Sequence, residues 1–153
     1  MKNCKPILLV EDDYVDAMTA KRAFKDLKVT NPLVHCLNGE EALNYLKNPD
    51  NEMPCVVLLD LNMPKMNGTE FLGLVKEDNR LKSIPVIVLT TSTEKCDISE
   101  AYNFSVGGYI VKPVEYRNFL EAIRMLDLYW SLSELPDYEV DIKNSKIEAS
   151  SIG

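Results

Sequence analysis

Short apolar runs recur along this chain, separated by longer stretches of mixed polarity. Ile7-Leu8-Leu9-Val10, Val56-Val57-Leu58-Leu59, Val86-Ile87-Val88-Leu89 and Tyr109-Ile110-Val111 are apolar throughout and rich in β-branched residues. Runs without a polar alternation read as strands covered on both faces, the setting of a parallel sheet. The pattern predicts strands over 6–10, Leu33–Leu37, a run ending at Leu59, Pro85–Leu89 and Tyr109–Val111. Helices are predicted over 14–27, 39–48, 69–77, from beyond Thr93, and over 115–131. In the first helix the apolar positions are Val15, Met18, Ala23 and Leu27, and Asn38 with Glu41 makes a capping pair for the second. Five strands alternating with five helices, joined by right-handed crossovers, imply an α/β fold with a doubly wound five-stranded parallel sheet. Its expected strand order is 2-1-3-4-5, the flavodoxin-like (βα)5 arrangement.

The residues that end the runs carry the chemistry. Val10 leads into Glu11-Asp12, Leu59 into Asp60, Leu89 into Thr90 and Val111 into Lys112-Pro113. In an open parallel sheet ligands sit beyond the carboxyl ends of the strands, so these five side chains are expected to share one cleft. Two like charges about 4 Å apart cost roughly 4 kcal/mol at an effective dielectric near 20, so three carboxylates need cationic company. Lys112 offsets one charge, and the remaining oxygen donors suit a hard divalent cation such as Mg²⁺. An ionised aspartate beside such a metal, faced by a lysine and a hydroxyl, is equipped to attack phosphorus and form an acyl phosphate. Singly, each residue has a plainer role. Glu11-Asp12 can cap the first helix, Asp60 a turn, Thr90 and Tyr109 can be strand residues, Lys112 a surface charge, and His35 a strand residue without chemistry.

Together the motifs are specific. Val10-Glu11-Asp12-Asp13, Asp60-Leu61-Asn62-Met63-Pro64-Lys65-Met66-Asn67-Gly68, Thr90-Thr91-Ser92 and Gly108-Tyr109-Ile110-Val111-Lys112-Pro113 resemble the receiver domain of two-component response regulators over about residues 5–130. Leu89-Thr90-Thr91-Ser92, Ala101-Tyr102 and the stretch from Tyr129 to Pro136 are similar to the stand-alone regulators associated with phytochrome histidine kinases. The resemblance implies that Asp60 is the phosphoacceptor and that Glu11 and Asp12 are the acidic pair for Mg²⁺. It implies that Asn62 gives the metal its backbone carbonyl, that Thr90 and Tyr109 are the switch hydroxyl and aromatic, and that Lys112 is the active-site lysine. It further implies a cis bond before Pro113, a sensor histidine kinase as phosphodonor, an unknown downstream protein, and homodimers through helix 4, strand 5 and helix 5.

Length and charge narrow the rest. With 153 residues, 46% of them hydrophobic, the chain suits one full core, expected as a receiver domain over 1–136 with a partly disordered extension over 137–153. A net charge of −7 argues against a nucleic-acid partner, and with neither a long apolar run nor a basic leader the expected location is the cytoplasm, off the membrane. Cys4, Cys36, Cys55 and Cys96 are spaced as reduced thiols rather than as a zinc site or disulfide framework. On the last helix, Phe119, Ile123, Leu126 and Trp130 form one apolar face, and Met125, Leu128, Tyr129 and Leu132 a second that suits a dimer surface. Tyr138 to Ile142 alternates like a short strand. An aspartate-nucleophile phosphatase or dehalogenase is the rival enzyme class; by resemblance it needs a second aspartate where Asn62 stands. A phosphorylation-independent interaction domain is the other rival, and an FMN site fits poorly because the first loop is acidic.

Overall fold

A computed structural model describes residues 5–91, 95–112 and 115–132, with backbone alone at 95, 96 and 129–132. Its elements run β1 (Ile7–Val10), α1 (Tyr14–Asp26), β2 (Leu33–Cys36), α2 (Gly39–Lys47), β3 (Val56–Leu59) and α3 (Gly68–Glu77). They continue through β4 (Val86–Thr90), α4 (Lys95–Asn103), β5 (Gly108–Val111) and α5 (Tyr116–Leu132). All four strand pairings are parallel and the order is β2-β1-β3-β4-β5, as the alternation of elements predicts. The expected cis bond before Pro113, Ser92, the Cys4 and Cys96 thiols, and everything beyond Leu132 lie outside the described residues or side chains.

Successive strand residues point to opposite faces, so each apolar run feeds two cores. Leu8, Val10, Val57, Leu59, Val86 and Val88 pack on one side against Ala42, Leu46, Phe71, Leu72, Val75 and Ala101 of α2, α3 and α4. Ile7, Leu9, Val56, Leu58, Ile87 and Leu89 pack on the other against Ala20, Ala23 and Phe24 of α1 and Phe119 and Ile123 of α5. The expected Phe119–Ile123 face of α5 thus covers the sheet, and Met125 and Leu128 stay exposed. On α1 the expectation holds for Ala23, which is buried, and Leu27, which packs against the core, and fails for the other two positions. Val15 and Met18 are exposed, and the buried face is Ala17, Ala20, Ala23 and Phe24. Alanines let the helix lie close to the sheet, with Phe24 filling in beside them, and Val15 and Met18 are left on the outer face.

The helix starts are fixed locally. Asn38 Oδ1 accepts from Glu41 N at 2.9 Å, and the Glu41 carboxylate accepts in return from Leu37 N at 2.5 Å. Asn67 caps α3 through Glu70 N at 2.9 Å. Among the described residues no helix is long and apolar enough to cross a membrane.

Candidate functional site

Ladder bonds at the strand ends set the site level. Glu11 N donates to Cys36 O at 3.0 Å, Asp60 N to Val10 O at 3.0 Å, and Lys112 N to Thr90 O at 2.8 Å. The residues that follow β1, β3 and β5 are thereby delivered to one rim of the sheet. The β3–α3 loop is clamped at the same place: Gly68 N donates to Leu61 O at 3.0 Å and Gly39 N to Met66 O at 3.1 Å. Within that loop Lys65 takes a left-handed φ of 59°.

Glu11, Asp60 and Thr90 are buried and Asp12 is exposed. One carboxylate oxygen from each of Glu11, Asp12 and Asp60 lies within 4.8 Å of the others. The Lys112 ammonium faces this group, paired with Glu11, 2.7 Å from Asp16 Oδ2 and 3.5 Å from Asp60 Oδ2. Asn62 bridges the cleft. Its backbone N donates to Asp60 Oδ1 at 3.1 Å, and its carboxamide donates to Thr90 and Thr91 Oγ1, each at 3.2 Å. Contacts and the carboxylate cluster therefore link Glu11, Asp12, Asp60, Asn62, Thr90 and Lys112. Tyr109 stands apart, half-buried on the α2–α3–α4 side of β5.

The electrostatics follow from this crowding. Burial, with Asp60 alongside, raises the Glu11 carboxyl to about 8 against the pull of Lys112. Burial disfavours the Lys112 ammonium, but its bonds to Asp16 and Glu11 and the Asp60 charge prevail and hold it above the usual lysine range. Glu11 Oε2 is buried without a hydrogen-bond partner. An orphaned buried oxygen in a carboxylate cluster is the donor arrangement a hard divalent cation completes, so the residues present fit such an ion.

Three features escape a reading of the sequence. The helix cap is Asp13, accepting from Asp16 N at 3.0 Å, rather than Glu11 or Asp12. His35 Nε2 donates to the Glu11 carbonyl oxygen at 2.7 Å, bracing the β1–α1 loop from β2. Asp16 reaches Lys112 across 96 positions of sequence; its one local signal is a carboxylate three residues beyond the cap.

The family model for the response regulator receiver domain matches residues 7–124. The chain belongs to the response regulator receiver domain family. It is 39% identical over 127 residues to the probable methanogenesis regulatory protein FilR2 of Methanothrix harundinacea, spanning 81% of this chain and 82% of that one. With response regulator Rcp1 of Synechocystis it shares 32% identity over 130 residues, 82% of this chain and 88% of the relative. The solved Mn²⁺-bound form of Rcp1 aligns with a TM-score of 0.77 at 31% identity, over 87% of this chain and 99% of that one. The phosphorylated cyanobacterial phytochrome response regulator RcpA gives the same TM-score and coverage at 34% identity. Receiver domains take phosphoryl groups from histidine kinases, and this chain is a receiver-domain signalling protein whose relatives include stand-alone phytochrome response regulators.

Proposed function

We propose that Asp60 accepts a phosphoryl group from a sensor histidine kinase of the phytochrome-associated type, and that the domain reports this by changing which protein it binds. The observation that carries the reading is the setting of Asp60: a buried strand-end carboxylate with Glu11 and Asp12 beside it, Asn62 N on one oxygen and Lys112 near the other. Asn62 fixes the rotation of the carboxylate, so an oxygen is presented to phosphorus in one orientation. As the new O–P bond forms, the bond from phosphorus to the donor breaks and the donor keeps its electron pair. Lys112 lies where its charge offsets that gathering on the phosphoryl oxygens.

Mg²⁺, held by Glu11, Asp12 and Asp60 with the Asn62 carbonyl, would supply further positive charge there; an oxygen-only donor set favours it over a softer metal. Thr90 is the switch hydroxyl. Its oxygen accepts from the Asn62 carboxamide, which leaves its O–H free to donate to a phosphoryl oxygen once the segment after β4 moves inward. Tyr109 then changes its packing beside α4, shifting a pre-existing balance of states. Apart from this self-phosphorylation and its reversal the chain is not an enzyme. The receiver spans 1–136, with 137–153 an extension, and the protein works in the cytoplasm where kinases meet ATP. Exposed Met125 and Leu128 on α5 support homodimerisation through α4, β5 and α5.

Labelling with acetyl phosphate and Mg²⁺, followed by phosphate-affinity electrophoresis and mass spectrometry, tests the assignment. The parent should take up one phosphoryl group and Asp60→Asn none. An Asp60→Asn protein that labels as readily as its parent would overturn it.

A further inference from the structure

Lys112 has three carboxylate neighbours, and the acceptor aspartate is the farthest. Its Nζ lies 2.7 Å from Asp16 Oδ2 and 3.5 Å from Asp60 Oδ2, with Glu11 on the remaining side. Asp16 sits in the first turn of α1, three residues beyond the Asp13 cap. An acid there ordinarily serves its own helix, by meeting the dipole or by returning a bond to the cap residue. Here its Oδ2 goes instead to a lysine 96 residues away, tying α1 to the residue that follows β5.

We propose that Asp16 is a positioning residue for phosphoryl transfer, holding the Lys112 ammonium back from Asp60 and aimed into the cleft. The inference rests on Asp60 being the phosphoacceptor. An ammonium that closed fully onto Asp60 would occupy the oxygen that must attack phosphorus and draw electron density from it. One free to swing into solvent would leave the charge of the incoming phosphoryl oxygens unmet. Glu11 alone cannot prevent both, because a single anchor lets the flexible lysine stem pivot about it. Glu11 and Asp16 together make a two-point anchor that keeps the third ammonium hydrogen directed at the cleft. In the transfer from acetyl phosphate, the Asp60 oxygen bonds to phosphorus while the phosphorus–acetate oxygen bond breaks and acetate departs with the electron pair. Asp16 touches none of these atoms and acts through the lysine.

The test compares the parent, Asp16→Asn, Asp16→Glu and Asp60→Asn in two measurements. The first is the rate of acetyl phosphate labelling with saturating Mg²⁺. Asp16→Asn should label Asp60 to the same final extent but about tenfold more slowly, short of the hundredfold that gross misplacement of a reacting group produces. Asp16→Glu should recover most of the rate. The second is the ¹⁵N signal of the Lys112 ammonium, assigned with Lys112→Arg: slow exchange with water in the parent should be lost in Asp16→Asn and regained in Asp16→Glu. Parental labelling by Asp16→Asn, or an unchanged lysine signal, would overturn the role of Asp16. A parent that does not label at all would instead overturn the role of Asp60, and the lysine signal would still report whether Asp16 anchors the ammonium.

Discussion

Gly68 shows how a single residue shapes the site without touching its chemistry. A Cβ there would stand 2.4 Å from the Asp60 carbonyl oxygen and 2.6 Å from the Leu61 Cα. Both are backbone atoms and cannot rotate aside, so the absence of a side chain lets α3 begin directly against the acceptor loop. Gly68→Ala should therefore cost about 3 kcal/mol, the upper range for overpacking, and slow labelling of Asp60 as the loop is displaced. Urea unfolding and acetyl phosphate labelling read the two effects; a variant matching its parent in both would contradict the close approach. The sequence marks Gly68 through its motif, but the reason for it is visible only once the loop is folded back.

At the scale of elements, α1 teaches most. Its apolar positions can be drawn as two stripes, and pattern alone favours the larger residues Val15 and Met18. The sheet selects the other stripe, because Ala17, Ala20 and Ala23 permit close approach and Phe24 then fills the end of the groove. Tyr116 of α5 reinforces the rotation by donating to Asp26 at 2.5 Å, with Arg22 stacked 4.5 Å above its ring. Phe24→Ala should cost about 3–5 kcal/mol, as for other buried phenylalanines. Val15→Ser and Met18→Ser should stay within about 0.5 kcal/mol of the parent, as for surface positions. Chemical denaturation of the three variants decides it, and a large loss from either serine variant would restore the Val15–Met18 face as core.

For the whole molecule, the fold assembles charges that a free chain would keep apart, and stability should depend on pH accordingly. Burial with Asp60 alongside raises Glu11 from 4.5 to about 8, so between these values the folded protein binds more protons than the unfolded one. Without metal, stability should fall as pH rises through that window. A divalent cation needs the ionised carboxylate and expels the proton on binding, so the gain in Tm from Mg²⁺ should grow from pH 6 to pH 8. Thermal unfolding with Mg²⁺ and with chelator measures it; a gain independent of pH would remove Glu11 from the linkage.

The number and order of elements, the sheet topology and the strand-end residues Glu11, Asp12, Asp60, Thr90 and Lys112 were all determined by sequence. That was so because strand periodicity, right-handed crossovers and capping at Asn38 are local or rule-bound. Only the tertiary structure decided which stripe of α1 is buried, that the Asn62 carboxamide holds Thr90, that His35 braces Glu11, and that Asp16 holds Lys112. Each of these depends on how elements distant in sequence rotate and register against one another. That is settled by packing between surfaces and leaves no period in the chain.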